Sequence, residues 1–182
     1  WVCHLVMKIK MRRKKKMSKL FLMMGAPGSG KSYWAEHHIT SVDKYISRDE
    51  IRFSMLEDGD DYFAKEGKVF DNFIKQINCS LMVYDNVFAD ATHLNFSSRN
   101  KTISRITASV DEIDVIFLDT SLELCLERNA KRTGRKFVPE DTIIDMYNRI
   151  RLPEFEEGIK KLYIVRPNQK IELRVLGLED KN

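Results

Sequence analysis

The 182-residue sequence contains no apolar run that reaches the roughly 18 to 20 residues needed for a membrane-spanning helix. That points away from a membrane partner and toward a soluble chain. Cysteine is scarce as well. Cys3, Cys79 and Cys125 lie far apart, with no C-x-x-C pair and no Cys/His ligand spacing. Neither a disulfide framework nor a zinc site fits that pattern, and a cytoplasmic setting does. Eight glycines and four prolines are too few for a low-complexity chain. An N-K-x-D guanine motif does not occur either.

What remains is a globular composition, 43% hydrophobic and 32% charged, long enough for one α/β domain and short for two. The formal charge of +4 is unevenly spread. Residues 1–18 hold seven of the 31 Lys and Arg and no acid, which leaves 24 bases against all 27 acids. The body is therefore mildly acidic, and its bulk charge gives no ground for tight duplex binding. Residues 1–17 read as a disordered basic extension upstream of a start at Met17, or as a nucleic-acid or targeting arm. Residues 18–182 read as one domain.

Short apolar runs alternate with helical patterns from Lys19 onward. Strands are expected at 20–24, 45–46, 87–89, 113–118 and 162–165, with 171–175 a candidate edge strand. Helices are expected at 32–39, 51–56, 62–84, 97–107, 122–132 and from Pro139 to about 150. The alternation predicts a three-layer α/β/α sandwich around a mostly parallel five-stranded sheet, with a helical lid.

Gly25-Ala26-Pro27-Gly28-Ser29-Gly30-Lys31-Ser32 follows the first strand and opens the first helix, the context that G-x-x-x-x-G-K-[ST] requires. Glycines let backbone N–H groups turn inward around an anion, and the helix start adds its positive end. Lys31 is placed to reach the β- and γ-phosphates of ATP, and the Ser32 hydroxyl to take a Mg²⁺ position. The fold class is thus a P-loop NTPase.

Ser47-Arg48-Asp49-Glu50-Ile51-Arg52 follows the second strand. Ser47 and Glu50 have capping-box spacing. Asp49, beside the P-loop, can orient an acceptor hydroxyl and take its proton, with Arg52 on the same face for an anionic group. Two acids end apolar strands, Asp90 and Asp119, and either could serve Mg²⁺. Asp90 is favoured because Thr92, His93 and Asn95 follow it, with Thr92 and Asn95 as substrate contacts; Asp119 reads as a helix cap. Arg128 and Arg132 share a face at i,i+4 before Thr133-Gly134, and repel unless an anion lies between them. They read as a lid over the transferring phosphoryl.

The motifs GAPGSGKSYWA (25–35), SRDEIR (47–52), DATHLN (90–95) and ERNAKRTGRKFVPEDTIIDMY (127–147) together resemble phage-type 5′-hydroxyl polynucleotide kinases and their small P-loop relatives, over about 19–158. The resemblance implies Asp49 as general base, Arg52 on the acceptor's phosphate, Arg132 on the ATP phosphates and Arg128 near the nucleotide. It also implies a nucleic-acid 5′ end as substrate, ATP and Mg²⁺ as cofactors and a cytoplasmic kinase. No D-x-D-x-[TV] phosphatase signature occurs. The alternatives are a kinase of a nucleoside, sugar or antibiotic hydroxyl, and a regulatory ATP-binding module without phosphotransfer.

Overall fold

A computed structural model describes residues 17–57 and 59–176, so the reading of residues 1–16 as a basic extension lies outside the described residues. The strands are β1 (Lys19–Met24), β2 (Lys44–Ser47), β3 (Asn86–Asp90), β4 (Glu112–Leu118), β5 (Lys161–Val165) and β6 (Ile171–Val175). The α-helices are α1 (Lys31–His38), α2 (Arg48–Met55), α3 (Glu66–Leu81), α4 (Phe96–Ile103), α5 (Leu122–Ala130) and α6 (Glu140–Asn148). One sheet runs in the order β2-β3-β1-β4-β5-β6. All pairings are parallel except β5 with β6. The edge-strand candidate thus extends the expected five-stranded sheet to six.

The apolar run of β1 sits at the sheet centre because both its faces are covered, as a buried parallel strand requires. Leu20, Leu22 and Met24 point into a layer shared with Ile51 of α2 and with Val69, Phe70, Phe73, Ile74, Ile77 and Leu81 of α3. Met23 points the other way, into a layer with Ala35 of α1, Phe88, Ile116, Leu118 and Val165. A third cluster, Ala26, Cys125 and Ile143, packs α5 and α6 against the loop after β1. No helix among the described residues is long and apolar enough to cross a membrane.

Helix boundaries depart from the periodicity where side chains compete for backbone groups. α2 starts at Arg48, since Ser47 is its N-cap and accepts from the Glu50 amide at 3.2 Å. The helix expected from Tyr62 begins only at Glu66. Asp61 Oδ1 accepts from the Phe63 amide (2.8 Å) and holds a turn there. The cap of α5 is Ser121 rather than Asp119; Asp119 lies 3.7 Å from Arg166. The carboxyl ends of β1, β2, β3 and β4 bring the segments 25–32, 47–49, 90–95 and 119–120 to one edge, where ligands of parallel α/β sheets bind.

At the opposite edge, Asp114 is fully buried near Glu112, and neither of its carboxyl oxygens has a hydrogen-bond partner. Burial, then Glu112, pushes the Asp114 carboxyl up to about 6, while Lys161 and Lys19 hold Glu112 low. A carboxyl raised by folding loses stability as pH rises through its unfolded value, and the loss is complete above the folded one. Asp114→Asn removes the buried carboxyl and with it that loss. Calorimetry across pH should show the variant more stable at pH 8 by about 1–3 kcal/mol, with the gain vanishing near pH 4.

Candidate nucleotide-binding and phosphotransfer site

In the turn from β1 into α1, side-chain donors engage the loop's carbonyls. Lys31 Nζ donates to Gly25 O (2.8 Å) and Ala26 O (3.3 Å). Arg128 Nη1 donates to Gly28 O (3.4 Å) and Ser29 O (3.2 Å), and the Thr120 hydroxyl to Ser29 O (2.9 Å). Gly25 is anchored from β3's side by its amide on Thr92 O at 3.0 Å. Two glycines are required by this geometry. Gly28 has φ 86°, and a Cβ there would lie 2.4 Å from the Cys125 carbonyl oxygen. Gly30, at φ 100°, caps α1 without any capping side chain. The first amides of α1 therefore have neither an intrahelical partner nor a side-chain one, which makes this helix start an anion site. The Ser29 hydroxyl is buried beside it without a partner. Ala26 is buried in the cluster under α5, and Pro27 beside it is half-buried.

Next to the loop, β3 ends on Asp90, which pairs with Met23 on one side and Ser47 on the other. Its carboxyl is buried and accepts from the Tyr45 hydroxyl at 2.5 Å. Burial pushes Asp90 up, and the Lys31 charge opposes it. Tyr45 is pushed up by burial and then by Asp90; its hydroxyl also meets Ser32 and Ser47. Ser32 and Asp90 thus bracket one phenol. Two hard oxygen donors, one anionic and short of positive charge, fit Mg²⁺ held partly by phosphates. Among the described residues, no group of three or more His, Cys, Asp or Glu forms a self-sufficient metal cage.

Asp49 lies in the first turn of α2, 64% exposed and within electrostatic range of Asp90. It accepts from Arg52 and from the Tyr62 hydroxyl, the latter at 2.9 Å. Arg52 is nearly buried. It donates to Tyr62 (2.8 Å) and Glu66 (2.7 Å), while Arg48 pairs with the other oxygen of Glu66. Arg52 can reach an acceptor phosphate only by releasing one of these partners. Asn95 caps α4 through the Ser98 amide and lines a cleft of about 550 Å³ with Phe96, Arg99 and Leu152. His93, buried between Met23 O (3.0 Å) and the Thr102 hydroxyl (3.2 Å), is pushed down to about 4 by burial and stays neutral.

Arg128 lies on the loop, and Arg132, just beyond α5, reaches Lys136 O at 3.5 Å. Both, with Lys31, act electrostatically on Cys125. Asn129 clamps the segment that follows, through both backbone groups of Val138. Arg135 crosses to Glu57 O at 3.2 Å, which ties the basic loop to the segment after α2. Sequence reading missed Tyr45, Tyr62, Glu66, Thr120 and Asn129. Each acts through a partner brought close by the sheet order or by a loop, and a one-dimensional pattern carries no signal for that.

Fold and cradle together define a P-loop nucleotide-binding domain with the architecture of P-loop kinases. Residues 20–153 match the family described as an AAA domain, and the chain belongs to it. In structure it is similar to a chain of the Pnkp1/Rnl/Hen1 RNA repair complex, with a TM-score of 0.65 and 22% identity over 94% of this chain and 52% of that one. It therefore spans about half the length of that relative. It is also similar to a gluconokinase from Sinorhizobium meliloti 1021 (0.55, 21%, 87% and 86%) and to Chaetomium thermophilum Kti12 in complex with ADP-AlF3 (0.59, 15%, 83% and 90%).

The contact of Gly28 with α5 sets a measurable limit. Gly28→Ala should lower stability by about 2 kcal/mol or more in urea titration, because backbone rather than a pliable side chain opposes the new methyl.

Proposed function

We propose that the chain is an ATP-dependent kinase that transfers the γ-phosphoryl group to a hydroxyl, with the 5′-OH end of a polynucleotide as the acceptor. The observation that carries this reading is the convergence of three functions on one sheet edge. A phosphate cradle completed by Lys31, a buried acid at Asp90 and an exposed carboxylate at Asp49 lie within one electrostatic neighbourhood. A module that only binds nucleotide has no need of the third.

In this reading the α1 amides and Lys31 hold the β- and γ-phosphates, and Ser32 and Asp90 hold Mg²⁺, which offsets the phosphate charge when bound. Asp49 orients the acceptor hydroxyl and takes its proton as the oxygen attacks the γ-phosphorus. The bond from that phosphorus to the bridging oxygen breaks, and ADP leaves with the electron pair. Arg132, at the base of the basic loop, meets the charge on the transferring group. Arg52 and Tyr62 fix the carboxylate of Asp49. Arg128 keeps the loop carbonyls turned away from the phosphates. Thr92 anchors Gly25 at the substrate edge.

The polynucleotide acceptor is supported by the ordered set of four motifs and by the likeness to the RNA repair chain. A sugar acceptor is the second reading, favoured by the similar length of the gluconokinase.

The deciding experiment incubates protein and Mg²⁺ with labelled ATP and 5′-OH oligonucleotides, nucleosides or sugars. Oligonucleotide ends should be labelled, and label on a sugar alone would reject the acceptor. Asp49→Asn should lower kcat by about 10²- to 10⁴-fold with ATP affinity unchanged.

A further inference from the structure

Beside Asp49 stands an aromatic group that phosphate transfer itself does not require. Tyr62 ties the group to the site, since its hydroxyl bonds Asp49 and its ring lies 4.4 Å from the Arg52 guanidinium carbon. Phe63 meets Tyr62 edge to face at 4.8 Å, and Phe53 approaches Tyr62 from 6.2 Å. Phe63 is nonetheless 57% exposed. A ring retained for core packing would be covered, and this one is held out in the open. Its backbone is pinned at both ends, the amide on Asp61 Oδ1 (2.8 Å) and the carbonyl under the Glu66 amide (3.1 Å). The result is a fixed, uncovered aromatic surface one residue from the phenol that holds Asp49.

Charge selects the occupant. Glu57, Asp60 and Asp61 flank this turn, and Lys65 pairs with the first two (3.0 and 2.9 Å). With Lys65 paired to two of these acids and Arg52 lying 6.0 Å from the Phe63 ring, the turn carries no excess of positive charge to seat a phosphate, and the open ring suits a neutral, flat group. A base bound here would sit near Asp49, close to the hydroxyl that its own sugar presents.

We propose that Phe63 is the surface on which the acceptor's terminal nucleobase stacks, with Tyr62 bracing it against Asp49, so that the site selects nucleoside-type ends over simple sugars. This rests on the kinase reading above. Stacking of one base on an aromatic side chain contributes about 1–3 kcal/mol, or about 5- to 150-fold in affinity.

The test uses the full chain and two 5′-OH oligonucleotides of equal length, one intact and one abasic at its 5′ nucleotide. Binding is read by fluorescence anisotropy without ATP, and KM and kcat with it. The wild type should bind the abasic acceptor about 5- to 150-fold more weakly. Phe63→Ala should weaken the intact acceptor to the abasic level, leaving the abasic one and the KM for ATP unchanged. Phe63→Trp should retain discrimination. Equal effects of Phe63→Ala on both acceptors, or no effect on either, overturn the proposal. Failure of the wild type to phosphorylate either oligonucleotide, with ATP still bound, instead overturns the acceptor reading on which it rests.

Discussion

The site depends on how the carbonyls of one loop are disposed of. A phosphate-binding turn must aim its N–H groups inward, which turns its carbonyls outward, where each needs a donor or water. Here Lys31, Arg128, Thr120 and the Ser29 amide supply those donors to Gly25, Ala26, Gly28 and Ser29. The approach of α5 that lets Arg128 reach the loop is also the one that leaves no room for a Cβ at Gly28. Cradle and helix packing are a single constraint. Lys31, now on its own loop's carbonyls, has a short path to a phosphate that competes for the same ammonium.

Sheet order then decides what faces the cradle. β3 lies between β1 and β2, so Asp90 sits across from Met23 and Ser47 at the same time. That register sets the Tyr45 hydroxyl between Asp90 and Ser32 and starts α2, with Asp49 in its first turn, beside the loop. The two acids differ in environment. Asp90 is desolvated and answered by Lys31 and a phenol, whereas Asp49 is open to solvent and held by Arg52 and Tyr62. A buried acid suits a fixed cation, and an exposed one suits a group that must meet substrate.

The fold and the cradle were legible in the sequence because they are written locally. The apolar run of β1, the glycine spacing and the Lys31-Ser32 pair all lie within fourteen consecutive residues, 19–32. The position of Asp90 at the end of its strand was also accessible, from the apolar run that it closes, whereas the cap expected at Asp119 belongs to Ser121. Long-range bonds were not accessible. Tyr45 reaches Asp90 across 45 residues, and Arg128 reaches the loop across 100. Arg52 shows the same limit from the other side. Its spacing from Asp49 was readable, and its burial under Tyr62 with Glu66 was not, because both partners come from the turn and helix that follow.

Triphosphate capture by the loop is measured most directly by calorimetric titration of ATP, with and without Mg²⁺, into the wild type and Lys31→Ala. Binding should tighten with Mg²⁺ and weaken by about tenfold or more when the ammonium is removed. Absence of heat with any nucleoside triphosphate in Mg²⁺, or affinity indifferent to the loss of Lys31, would exclude the loop as the phosphate site.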